Sequence, residues 1–330
     1  MKIRKAFAMA VTATAATVCF SGAVHADPIF PTRPITMVVP YAPGGTTDIL
    51  ARLIATGMGQ ALKQTVIVEN TSGAGGTIGT QRVVRAAPDG YTLTFGNMGS
   101  LSANSLLYAS AKFDPVRDLA PVGLVATVPT VLAVSNGSGV QTLPQLIDAL
   151  KNRPGTFNFG SGGPGTTNHL AAAMFLYQTG TKAEIIQYRG AGPAIADLMS
   201  GQIQVVIDQT LSLLPLHADK RARAIAIANT ARITAATDVP TFAEGGLASF
   251  DLSVWNAISA PPTTPKPVIE KLAAAISSAL DSPEVAAKLK QYSARAPVGS
   301  ERGPNALAQL VETDTRRLAV VIKAAGIATN

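Results

Sequence analysis

A short segment occurs twice in this chain in nearly the same form, Pro43-Gly-Gly-Thr-Thr-Asp48 and Pro164-Gly-Thr-Thr-Asn168. Each copy stands between a β-rich apolar run and a stretch with apolar positions at helical spacing, which reads as strand, glycine-rich loop, helix. Glycines let such a loop approach a ligand closely, threonines cap the helix, and the N–H groups of the first turn have no intrahelical partner. A helix start of this kind favours an anion by ~0.3–1 kcal/mol, and by up to ~2 when partly buried. Two of them facing across a cleft would clamp a carboxylate without a cation. The candidate contacts are therefore Gly44, Gly45, Thr46, Thr47 and Asp48 in one copy and Thr166 and Thr167 in the other.

The same unit recurs along the chain. Strands are expected at 35–39, 65–69, 91–95, 124–134, 157–159, 184–188, 205–207, 222–228 and 250–260, the last holding the single tryptophan, Trp255. Helices are expected over 49–62, 77–87, 142–150, 167–177 and 192–200, and Pro267, Pro283 and Pro304 open three more, proline suiting a first helical turn. His217 follows Pro215 and is expected in a loop. Strands alternating with helices imply an α/β fold with a mainly parallel sheet and ligands at the carboxyl ends of its strands. Too few units follow residue 260 for a third sheet, so the last helices pack on an existing lobe and the chain crosses between lobes twice. This gives residues 27–124 with 254–330 as one lobe, 125–253 as the other, two crossing strands as a hinge, and a ligand cleft between. A length of 330 residues, 47% of them hydrophobic, fits two such units.

The N-terminus has its own reading. Lys2, Arg4 and Lys5 precede an apolar run over 6–20, and small residues lead to Val24-His25-Ala26, the pattern of a secretory signal peptide removed after Ala26. The run is shorter than the ~20 apolar residues of a membrane span, and no later stretch could span either. Cys19 lacks the residues that precede a lipidated cysteine. An exported, periplasmic chain that is not embedded in the membrane is expected. Three of the cations behind the net charge of +7 lie in that leader, and Lys220, Arg221 and Arg223, the densest basic cluster, has no interleaved aromatics, so nucleic acid is excluded as a partner.

Other chemistry is poorly supported. One cysteine and three histidines exclude a disulfide framework and a His/Cys metal site. Gly73, Gly75 and Gly79 suggest a dinucleotide turn, but the next strand ends in Gly96-Asn97 where a ribose-binding acid belongs, and no phosphate-binding lysine loop occurs, so no cofactor is expected. Ser161 in Gly160-Ser-Gly162 has Phe159 where a nucleophile elbow requires glycine. Asp208 follows the apolar run 205–207 and projects to the ligand edge, where a carboxylate would orient an ammonium, a hydroxyl or a water. Tyr188 and Arg189 end the neighbouring strand, Arg189 as a candidate cation.

Taken together, Pro31-Thr-Arg-Pro-Ile35, Val39-Pro-Tyr-Ala-Pro-Gly-Gly-Thr-Thr-Asp48, Pro88-Asp-Gly-Tyr-Thr-Leu93, His169-Leu-Ala171, Tyr188-Arg-Gly-Ala191, Thr241-Phe-Ala-Glu-Gly-Gly-Leu247 and Pro265-Lys-Pro267 resemble the Bug family of extracytoplasmic solute-binding proteins, which serve tripartite tricarboxylate transporters. The resemblance runs from Pro31 to about Ile327. It implies a two-lobed, type II periplasmic-binding-protein fold that closes on a small carboxylate. It adds Tyr41, Asn97 and Ser100 to the contacts of one lobe, and Ser161, His169, Tyr188, Arg189 and Asp208 to those of the other. Two positions depart from the usual pattern: His169-Leu-Ala-Ala-Ala173 lacks an acid, and Asp208 sits between Ile207 and Gln209. The expected function is capture of a small organic acid, an amino acid or an aromatic acid by a monomer that meets its membrane transporter transiently, with no catalysis. An exported hydrolase or isomerase using the same cleft, and a sensor module without a transporter, stand as alternatives.

Overall fold

The computed structural model describes residues 30–107, 113–291 and 293–324. The expected leader, with Cys19 and the expected cleavage site, lies outside them. The first half runs β1 (Ile35–Val39), α1 (Thr46–Leu62), β2 (Val66–Asn70), α2 (Thr77–Val84), β3 (Thr92–Asn97), a π-helical turn (Gly99–Ala103), a short α3 (Asn104–Leu107) and the long β4 (Ala120–Val134). The second half repeats the pattern with α4 (Leu143–Asn152), β5 (Asn158–Ser161), α5 (Thr167–Thr179), β6 (Glu184–Gln187), α6 (Ala191–Ser200), β7 (Val205–Gln209), α7 (Thr210–Ala218) and β8 (Arg223–Ile227). Strand β9 (Ser253–Ala260) follows, and then α8 (Lys266–Asp281), α9 (Pro283–Gln291) and α10 (Pro304–Ala324).

The strands order as β2-β1-β3-β9-β4-β7-β5-β6, with β8 also paired to β4. β1 lies parallel between β2 and β3, and β5 lies parallel between β6 and β7. Each is therefore the strand at which the order reverses, and in an open α/β sheet the crevice beyond the carboxyl end of that strand is the ligand position. The two copies of the repeated segment are the loops that leave β1 and β5.

β4 joins the two halves. Its residues 120–129 pair antiparallel with β9, while 130–134 pair with β7 and 131–134 with β8 on the other side. Leu132 and Val134 enter one apolar cluster and Val131 and Ala133 another, the period-2 alternation of a strand covered on both faces. Val205 and Ile207 of β7 share the first cluster, and Val206 lies in the second. α8 lies on α1 so closely that a Cβ on Gly57 would stand 2.7 Å from the Ala279 methyl.

Two local expectations are corrected. Residues 210–218 are helix, so His217 is helical rather than in a loop; Pro215 removes one i→i−4 bond without ending this short helix. The imidazole Nδ1 accepts the Ala224 N–H at 3.3 Å and its Nε2 lies 3.0 Å from Asp238. In addition, α1 begins at Thr46, three residues before the first apolar position of its pattern, with Gly45 rather than a threonine as N-cap.

Candidate functional site

Both repeated loops open on one narrow cavity with a free volume of about 20 Å³, room for about one water, so a larger ligand enters only when its walls part. It is lined by Tyr41, Ala42, Gly45, Thr46, Thr47, Asp48 and Asn97 from the first half and by Thr166, Thr167, Asn168, Ala191, Asp208 and Gln209 from the second.

On the first wall, Gly45 supplies no side-chain cap, so the N–H groups of the α1 first turn are left without one. The Thr46 hydroxyl beside them is buried and has no hydrogen-bond partner, and Thr46 is 1% exposed. Asp48, three residues into the helix, turns back instead to its own loop. Its carboxylate accepts the Gly44 N–H at 3.1 Å, Asn70 Nδ2 at 2.9 Å and Arg52 Nε at 3.1 Å. Burial works to raise its pKa, but these three partners together prevail and hold it below the usual carboxylate range.

A chain of side-chain bonds ties this wall to the far half. Tyr41 Oη donates to Asn97 Oδ1 at 2.9 Å, Asn97 Nδ2 to Thr47 Oγ1 at 3.0 Å, and Thr47 Oγ1 to Asn256 Oδ1 at 3.4 Å. Asn256, fully buried on β9, then donates to Gln209 Oε1 at 2.8 Å. Asn97 Oδ1 also accepts the Gly99 N–H, while Ser100 Oγ accepts the Asn97 N–H, so the π-helical turn holds Asn97 in place.

The second wall is built differently. Thr166 is the N-cap of α5; its Oγ1 accepts the His169 N–H at 3.4 Å and donates to the Gly163 carbonyl at 2.7 Å. His169 Nδ1 accepts the Gly165 N–H at 3.2 Å, which places the ring proton on Nε2, and burial holds its pKa below the usual value. Asn168 donates to the Ile207 carbonyl. Asp208 is 4% exposed and accepts the Ser212 hydroxyl at 2.5 Å, and no cation pairs with it among the described residues. Burial raises its pKa, against the opposing hydrogen bonds from Ser212, Gln209 and Asn168.

Of the residues singled out in the sequence, Tyr41, Gly45, Thr46, Thr47, Asp48, Asn97, Thr166, Thr167 and Asp208 meet in the cavity wall, and Gly44, Ser100, Ser161, His169, Tyr188 and Arg189 do not. Gly44, Ser100 and His169 brace wall residues through the bonds given above. Ser161 Oγ donates to Gln187 Oε1 at 2.6 Å rather than to a histidine. Tyr188 turns its hydroxyl to Asp197 at 2.6 Å, and burial with that bond pushes its pKa up to about 12. Arg189 is exposed, and its backbone carbonyl, not its guanidinium, meets the opposite loop by accepting the Ala42 N–H at 3.1 Å. Sequence reasoning missed Asn168, Gln209 and Asn256. The first two adjoin residues it did choose, and alternation along β9 next to Trp255 was the available signal for the third. Among the described residues no cluster of His, Cys, Asp or Glu could hold a metal, and no helix is long and apolar enough to cross a membrane.

Residues 50–327 match the model of the tripartite tricarboxylate transporter family receptor. The chain belongs to this family. It is 34% identical to protein BugT of Bordetella pertussis over 312 residues, covering 94% of each chain. The structure of the periplasmic binding protein BugD superposes with a TM-score of 0.88 at 33% identity, over 91% of this chain and all of BugD. MatC of Rhodopseudomonas palustris, solved with bound malate, gives a TM-score of 0.85 at 34% identity, over 89% of this chain and all of MatC. The fold is thus the two-lobed α/β fold of periplasmic binding proteins, and the chain is a solute-binding receptor of the tripartite tricarboxylate type.

Proposed function

We propose that this receptor captures a small organic carboxylate in the cavity between α1 and α5 and presents it to the membrane subunits of its transporter, leaving the ligand chemically unchanged. The observation that carries the reading is the Thr46 hydroxyl, buried without a partner beside the uncapped start of α1 and facing the start of α5 across the cavity. A carboxylate oxygen would accept from that hydroxyl and from first-turn N–H groups, the arrangement in which a helix start binds an anion. The distal part of the ligand meets Asn97, Gln209 and Asp208. Because Asp208 has no paired cation, this end suits groups that donate a hydrogen bond, such as the hydroxyl of a small hydroxy acid, an ammonium or an amide. Malate, bound by the relative MatC, is one such acid.

Residues 27–124 with 254–330 form one lobe of this reading and 125–253 the other, in keeping with the change of partner along β4 from β9 to β7 and β8. The 1–26 leader directs the chain to the periplasm and is removed there. In this reading the receptor works as a monomer that meets its transporter subunits transiently.

The test is the melting temperature of residues 27–330 against mono-, di- and tricarboxylates, amino acids and aromatic acids. A ligand at a hundred times its Kd adds ~2.7 kcal/mol, a rise of a few degrees. One acid class should raise it, and Asp208→Ala should weaken that ligand about tenfold or more, the size of a lost charged hydrogen bond. Silence across the panel in refolded protein would refute the reading.

A further inference from the structure

Where the two halves meet beside the cavity, the contact is made of backbone. The Ala42 N–H bonds to the Arg189 carbonyl at 3.1 Å, and the Pro43–Gly45 loop lies against the turn Gly190–Gly192. A Cβ built on Gly192 would stand 1.9 Å from the Pro43 carbonyl oxygen, and one on Gly190 2.6 Å from the Ala42 nitrogen. From the other side, a Cβ on Gly45 would stand 3.1 Å from the Ala191 methyl. Gly190 also has φ +140°, so its own backbone calls for glycine. Gly192 is different. It lies in the first turn of α6 and is not among the glycines with positive φ, so its own backbone admits alanine, and only the opposing loop excludes a side chain.

We infer that residues 42–45 and 189–192 form a latch that closes the receptor without ligand, and that Gly192 is a positioning residue whose missing side chain sets how far the lobes close. The inference rests on the two-lobed reading given above. Donor and acceptor of the Ala42–Arg189 bond are both backbone, and the Pro43 carbonyl packs directly on Gly192, so these contacts need no third group to form. A receptor competent to bind in a fraction of its population has its apparent Kd raised by the inverse of that fraction, so the latch sets affinity without touching the ligand.

The experiment places spin labels on cysteines introduced at Gln60 and Lys182, exposed positions in the two halves, and reads the distance distribution of the ligand-free processed protein. The wild type should show a population at the distance of this closed structure. Gly192→Ala should lose most of it, Gly45→Ala less of it, and Gly137→Ala, where a Cβ would meet nothing within 4 Å, none. Gly192→Ala should still unfold in one cooperative transition, which shows that the variant folds. With malate as the affinity probe, Kd should rise about tenfold in Gly192→Ala, in step with the lost closed fraction. The distance measurement needs no ligand, so failure of malate to bind would count against malate as the ligand and leave the latch to be judged on distances. An unchanged closed population in Gly192→Ala, or none in the ligand-free wild type, would overturn it.

Discussion

The two copies of the Gly-Thr-Thr segment hold nearly the same residues and use them in opposite ways. In the first, the helix begins one residue earlier relative to the motif: Gly45 is the cap and both threonines lie inside the first turn. In the second, the first threonine is itself the cap. A shift of one position decides what the hydroxyl does. Thr166 spends its oxygen on the His169 N–H and the Gly163 carbonyl, whereas Thr46 keeps its oxygen unpartnered at the cavity. One copy therefore braces its own loop, and the other is open to a ligand. The acids differ in parallel. Asp48 is held by Arg52, Asn70 and Gly44, and Asp208 is buried with neutral donors alone.

The largest expected effect breaks the comparison at those acids. Asp48→Asn removes the charge that faces Arg52 and turns one of the two accepting oxygens into an N–H donor, so it should lower stability by ~1–3 kcal/mol at pH 7, the cost of leaving buried polar groups poorly paired. Asp48 has a pKa lowered from its ordinary 3.8 on folding, so its contribution is full above that value and is lost as the pH falls through the folded value. Asp208 has a raised pKa, so its contribution is full below 3.8 and is lost as the pH rises through the folded value. Urea unfolding over an acid-to-neutral series should thus show Asp48→Asn approaching the wild type as the pH falls. Asp208→Asn should gain on the wild type as the pH rises. Parallel trends in the two variants would end the distinction.

A smaller effect sharpens the comparison at the hydroxyls. Thr166→Val removes a helix cap and should lower stability by ~1 kcal/mol. Thr46→Val removes a hydroxyl that bonds to nothing in the protein, so it should leave unfolding nearly unchanged and weaken carboxylate binding by about tenfold, as loss of a hydrogen bond to a charged group does. Unfolding curves and titration of the two variants against one ligand give the test. Equal losses of stability would show that the one-residue shift carries no consequence.

The sequence resolved the architecture well because the fold repeats a strand-loop-helix unit with clear punctuation. Thr142 before Leu143-Pro144 caps α4, accepting the Gln145 N–H, where the spacing puts a helix start. It resolved less of the site, since that depends on what a pattern does not hold. Both Gly-Thr-Thr copies read as capped by threonine, and only the backbone of the first, with Gly45 extended at φ −85° and ψ 167°, decides otherwise. His217 after Pro215 read as loop, and α7 runs through both. Asn256 escaped notice because its role is to join Thr47 to Gln209, residues far apart in the chain that meet only once β9 is seated beside β4.

Arg189 gives the smallest expected effect and the sharpest contrast between sequence and structure. A cation ending a strand next to a cleft is an obvious carboxylate partner, and in a cavity whose charged wall residues are both acids, only Asp48 of them paired to a cation, it would have added a compensating charge. The chain instead turns at Gly190, which sends the Arg189 side chain to solvent and its carbonyl to the Ala42 N–H. Arg189→Ala keeps that carbonyl and removes only an exposed charge, whose pull on a ligand is screened within ~8–10 Å at ordinary ionic strength. Carboxylate affinity should therefore fall by less than about threefold, with whatever loss there is vanishing at high salt. A tenfold loss in calorimetry at 150 mM salt would mean that the guanidinium swings into the cavity when ligand binds. The carboxylate would then be held by a charge rather than by the two helix starts.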